Sequence, residues 1–171
     1  AMEIMLDAVG DDRTREAMMV IVKAAGVRGM IAGQYTDLES EGKQIDIDKL
    51  RYIHRNKTGA LLKAPLVAGA ILGGADEDQV LAVSEYGVNL GIAFQITDDL
   101  LDVIGDKDIT GKNTGSDEAS GKLTYVKAYG VEKSEQLALD YTNFAIAALD
   151  IAEIKKDFLV ELAKSLSKRV K

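Results

Sequence analysis

The 171-residue chain has no cysteine and a single histidine, His54, which excludes disulfide scaffolds, thiolate-held zinc, iron–sulfur clusters, thiol nucleophiles and histidine-rich metal sites. Proline occurs once, at Pro65, and aromatic residues make up only 5%. Strands favour β-branched and aromatic side chains, whereas Ala and Leu lose little entropy in a helix. Twenty-one alanines beside so few rings therefore predict an all-α fold. With a formal charge of −7, the chain lacks the basic excess of a nucleic-acid binder, so any phosphate bound here relies on local lysines or a metal ion. Long apolar runs are also missing. Ala64 to Ala75, as long as any uncharged stretch in the chain, falls short of the roughly 20 residues a bilayer span requires. Glu3 and Asp7 interrupt the N-terminal apolar stretch and no secretory cleavage site follows, so the chain reads as soluble and cytoplasmic.

At 47% hydrophobic and 29% charged, the chain has the composition and size of a single domain, here one all-helical domain over residues 1–171. It opens AMEIMLDAV with helical spacing at Ile4, Met5 and Ala8 and no capping residue ahead, as though a helix were cut in its middle. Asp11 or Asp12 can cap a second helix ending at Gly26. Val27 to Ala32 then leads into GQYTDLESEG, whose Gly, Thr, Asp and Ser content reads as a helix end and an acidic surface loop. Asp46 or Asp48 caps the next helix, through Leu50 and Ile53. Thr58 to Leu72, rich in small residues, predicts a tightly packed interior helix bent near Pro65. Asp76 with Gln79 forms a capping box for the longest helix, which runs to about Ile104 and is apolar on nearly every side from Val88 onward. Gly105 to Gly121 is a polar, glycine-bearing stretch of the kind that carries function. Leu123 to Ala128, Glu132 to Asp150 and Phe158 to Val170 complete the helices.

The chemistry concentrates in FQITDDLLD, Phe94 to Asp102. On a helix, Asp98 and Asp102 lie one turn apart on one face and Asp99 about 100° round, so three carboxylates are expected to converge beside an apolar run. Like charges at that spacing cost about 0.2–0.5 kcal/mol each, and more when buried, which implies a counter-ion. Clustered carboxylates with room for water suit Mg²⁺, a hard cation that bridges to substrate phosphates. Asp106 extends the same face, and Lys57, Lys112 and Lys122 can neutralise diphosphate oxygens as point charges.

Taken together, GQYTDL, HRNKTGALLKAP, FQITDDLLDVIGD and TGKNTGSDEASGKLTY resemble, in order and spacing, the C-terminal half of the trans-isoprenyl diphosphate synthases, most like the short-chain bacterial farnesyl and geranylgeranyl type. The resemblance implies a C-terminal fragment of the isoprenoid (terpenoid) synthase helical bundle. It also implies Mg²⁺-dependent ionisation of an allylic diphosphate, head-to-tail addition of isopentenyl diphosphate, and a homodimer. By position, Asp98, Asp99 and Asp102 match the second aspartate-rich motif that holds Mg²⁺. Lys57, Thr58 and Lys112 match contacts to the allylic diphosphate, and Lys122 sits in the same lysine-bearing stretch. Phe94 and Gln95 match residues lining the reaction cavity, while Gln34 and Asp37 match supports for the lysines and metal. His54, just before KTG, is expected to be a partly buried structural histidine.

The family's first aspartate-rich motif is not found: Asp11-Asp12 is the only upstream pair, and it reads as a helix cap beside Arg13 and Arg15. The chain is thus expected to be a fragment of a longer synthase, inactive by itself, with apolar faces that drive self-association. Two alternatives are a non-catalytic regulatory subunit of a heteromeric synthase and a class I terpene cyclase. KTG and the glycine-lysine stretch after DDxxD count against the cyclase.

Overall fold

The computed structural model describes residues 2–7, 10–104, 122–152 and 154–167, and every regular element among them is helical. The helices are α1 (Met2–Asp7), α2 (Asp12–Ala25), α3 (Met30–Ser40), α4 (Ile47–His54), α5 (Ala60–Leu72), α6 (Glu77–Ile104), α7 (Tyr125–Tyr129), α8 (Val131–Ala148) and α9 (Asp157–Ser167). A one-turn π-helix, Arg55–Gly59, joins α4 to α5, and a 3₁₀ turn, Leu149–Ala152, follows α8.

The starts follow the capping chemistry. Asp11 accepts the Thr14 amide at 2.7 Å and Asp46 the Lys49 amide at 2.8 Å. Asp76 and Gln79 exchange backbone-to-side-chain bonds at 2.8 and 3.2 Å, a complete capping box.

Helix α6, about 42 Å long at 1.5 Å per residue, is the axis of the molecule: α4, α5, the π turn, α7, α8 and α9 all pack on it. Three apolar clusters result. Ala17 of α2 meets Val67, Ala68 and Ile71 of α5. Val83, Tyr86 and Leu90 of α6 meet Ala145, Leu149 and Ala163, and the Tyr86 hydroxyl donates to the Leu159 carbonyl at 2.7 Å, pinning α9. Leu50, Ile96, Leu100, Tyr125 and Ala138 form the third cluster, beneath the site described below.

Two expectations are corrected. The acidic surface loop over GQYTDLESEG is helix α3. Its Thr36 and Ser40 hydroxyls bond back to the carbonyls of Ala32 and Thr36, and Gly33 seats it against the chain at Lys57, so tertiary packing overrides weak local propensity. Helix α5 carries Pro65 inside it and follows directly on the π turn. Helix α5 is also not interior on all sides: it buries Ala64, Val67, Ala68 and Ile71 but leaves Leu61 and Leu72 exposed. No described helix is long and apolar enough to cross a membrane.

Candidate active site

Two helices, α3 and α6, close on the π turn because glycines allow it. A Cβ on Gly33 would lie 2.1 Å from the Lys57 amide nitrogen, and one on Gly91 would lie 2.8 Å from the Gly59 Cα. Real Cβ atoms do not approach backbone that closely, so α3 and α6 both reach the turn only without side chains at those positions. Wide π turns of this kind concentrate at functional sites. Here the turn lies beside a cavity of about 270 Å³ bounded by α3, α4, α6 and the start of α7.

The cavity gathers eight residues singled out by sequence: Asp37, Lys57, Thr58, Phe94, Gln95, Asp98, Asp99 and Lys122. Gln34, on α3, and Asp102, one turn beyond Asp98, are half-buried and do not line it. Lys112 and Asp106 lie outside the described residues. Lys43 also lines the wall; it follows the end of α3, and no motif in the sequence marks it.

Asp37 is the hub. Its carboxylate accepts the Lys57 ammonium at 2.5 Å and the Lys122 ammonium at 3.2 Å, joining groups 20 and 85 residues away in sequence. Burial raises the pKa of Asp37, but the hydrogen bond and charge of Lys57, with Lys122 behind it, outweigh that and hold the carboxyl below its usual range. Three lysines and three carboxylates therefore face the same space, a balanced set.

His54 is buried, and its ring stacks on Tyr125 at 5.6 Å. Among the described residues its Nδ1 has no hydrogen-bond partner. Burial drives its pKa down from 6.5 to about 4, only partly opposed by Asp37, so it is a neutral imidazole at pH 7, in keeping with the structural role expected of it.

Asp98, Asp99 and Asp102, the three carboxylates expected to converge, lie on neighbouring turns of α6, and Asp98 and Asp99 line the cavity. Among the described residues no group of three or more His, Asp or Glu is placed to hold a metal. Asp99, about 100° round the helix from Asp98, is 4% exposed and accepts the Tyr125 amide at 2.8 Å, fastening the start of α7 to α6. Asp98 and Asp102, one turn apart, are both half-buried. Carboxylates so placed fit Mg²⁺, which is commonly held by one or two of them together with waters and substrate phosphates.

A family model for polyprenyl synthetase matches residues 1–157. The chain is similar to farnesyl diphosphate synthase of Geobacillus stearothermophilus, 49% identical over 105 residues, covering 61% of this chain and 35% of that protein. It is similar also to farnesyl diphosphate synthase of Escherichia coli (strain K12), 41% identical over 140 residues, covering 81% and 47% respectively. Among solved structures, geranylgeranyl pyrophosphate synthetase from Pyrococcus horikoshii Ot3 superposes with a TM-score of 0.84 at 30% identity, covering 94% of this chain and 60% of that one. The chain thus spans between about a third and a half of the length of these curated relatives.

Proposed function

Since the chain belongs to the polyprenyl synthetase family, we propose that it carries the allylic-diphosphate half of a prenyltransferase cavity. The complete enzyme joins isopentenyl diphosphate head to tail onto an allylic diphosphate and releases diphosphate, giving a short-chain isoprenyl diphosphate. The observation that supports this most is the single cavity where Lys57, Lys122 and Asp98 meet, with Asp37 holding both ammonium groups.

Charge decides how the cavity works. Its lysines and carboxylates balance, so a diphosphate adds negative charge that they alone do not neutralise. Mg²⁺ held by Asp98, Asp99 and Asp102 would supply the missing positive charge to the departing diphosphate. Lys57 and Lys122 bind the diphosphate oxygens, and Lys112 joins them from the polar stretch that follows α6. Thr58 donates its hydroxyl to the same oxygens. As the allylic C–O bond breaks, negative charge gathers on the leaving group, so these cations stabilise the transition state more than the bound substrate. Phe94 and Gln95 line the wall on the carbon side, where an aromatic face favours a developing carbocation and excludes water. Asp37 holds the two lysines in register, with Gln34 one turn before it on α3.

The reading includes a homodimer in the cytoplasm, supported by apolar side chains exposed on α2 (Met19, Val22) and α3 (Ile31, Tyr35, Leu38). The chain alone is inactive, because it spans under half the length of these curated relatives and carries one aspartate-rich motif. The test incubates it with Mg²⁺, geranyl diphosphate and labelled isopentenyl diphosphate, with and without a complementary N-terminal half from a relative. An elongated diphosphate is expected by mass only in the combined sample, and Asp98→Ala should abolish it. Full turnover by the Asp98→Ala combination would remove the metal assignment, and product from the chain alone would overturn its inactivity.

A further inference from the structure

The π turn has a second cavity on its other side, about 360 Å³, between α2, the turn, α5 and α6. Consecutive residues are shared out between the two: His54, Lys57 and Thr58 line the first, whereas Arg55, Asn56 and Gly59 line the second. Lys23 and Arg28 from the α2 side, Arg55 from the turn and Lys63 from α5 all line this rear cavity. No carboxylate lines it among the described residues, and none of the four cations has an ion-pair partner there. In a chain of net charge −7, four unpaired cations around one hollow run against the overall composition. The rest of the lining is small and apolar, with Val20, Ala64, Val67 and Val88 among it, and Asn56 and Ser84 add polar groups.

Four cations with no opposing charge repel one another at a cost that a multiply charged oxyanion removes, and an apolar floor rewards a short hydrocarbon attached to it. The volume lies within the range of small-molecule sites, about 300–1,000 Å³. We infer that the rear cavity is a second binding site, separate from the front one, for a small phosphorylated molecule carrying a short apolar chain. The ligand's oxyanion sits among Lys23, Arg28 and Arg55, and its chain lies along the valines toward α6.

The test titrates hexyl phosphate into the chain at low salt, by calorimetry and by ³¹P line broadening, with inorganic phosphate and hexyltrimethylammonium as controls. Hexyl phosphate should bind at least tenfold more tightly than inorganic phosphate, and the cation should not bind. Lys23→Glu with Arg28→Glu, both exposed positions, should weaken binding at least tenfold while the helical circular dichroism stays unchanged. Lys57→Ala with Lys122→Ala, which disarms the front cavity, should leave that binding event in place. Absence of binding, wild-type affinity in the Lys23→Glu/Arg28→Glu variant, or loss of all binding in the Lys57→Ala/Lys122→Ala variant would each overturn the site. Equal affinity for hexyl and inorganic phosphate would overturn the ligand class. Because the readout is binding and not turnover, the outcome is independent of the prenyltransferase reading.

Discussion

His54 should write its burial into the pH dependence of stability. In the folded chain its pKa is about 4, pushed down first by burial, while in the unfolded chain it returns to about 6.5. Between those values the unfolded chain binds a proton that the folded chain refuses, so stability rises with pH across this window. The contribution is fully present above about 6.5 and is lost as pH falls toward 4. A gap of about 2.5 pH units corresponds to about 3 kcal/mol, a large share of the 5–15 kcal/mol typical of a domain. Asp37 acts in a different window: its pKa is lowered, so its contribution holds above its ordinary 3.8 and fades only below that. Urea unfolding followed by circular dichroism, from pH 7.5 down to pH 4.5, isolates the histidine term. His54→Phe keeps a ring stacked on Tyr125 but removes both the titration and the unpartnered Nδ1. That variant should be at least as stable as wild type at pH 7, since a buried polar atom without a partner costs about 1–3 kcal/mol. It should also lose none of the 3 kcal/mol on acidification. An equal fall with pH in both proteins would refute the reasoning.

The glycine contacts predict opposite signs at two helical positions. Gly33→Ala, whose Cβ would land 2.1 Å from backbone, should lower the melting midpoint by several degrees or prevent folding; Gly69→Ala, with nothing within 4 Å, should stabilise by about 0.5–1 kcal/mol. Asp99→Ala strands the Tyr125 amide and should cost about 1–3 kcal/mol in urea titrations. Asp37→Asn removes the carboxylate that competes for Lys57 and Lys122, so pyrophosphate should bind the metal-free chain several-fold more tightly. Weaker binding in that calorimetric comparison would mean that holding the lysines in register matters more than the charge.

What was legible in the sequence was local chemistry. Asp11, Asp46 and the Asp76–Gln79 pair announce helix starts because a cap needs only a side chain three residues from an amide. Helix α6 is legible because its length and apolar character leave no other option. Helix α3 is not, since Gly33, Thr36 and Ser40 give it no local advantage and its N-cap, Gly29, offers no side-chain bond. Its stability comes from Lys57, far along the chain. Eight of the residues that line the front cavity stand in legible motifs, yet the bond from Asp99 to Tyr125 is not legible, because that partner is 26 residues away and is a backbone amide.

The same distinction separates residues inside the motifs. In GQYTDL and KTG both glycines sit in helical backbone and pack against backbone from another segment, Gly33 on Lys57 and Gly59 facing Gly91. Their work is steric. By letting α3 and α6 close on one wide turn, they bring Asp37 within 2.5 Å of the Lys57 ammonium and set Asp98 across the same space. Chemistry at the front therefore depends on backbone contacts that no charged residue makes. A larger residue at position 33 or 91 should separate Asp37 from Lys57 before it touches any group that meets substrate, so loss of diphosphate binding in such a variant would reflect a displaced helix with every cavity-lining side chain intact.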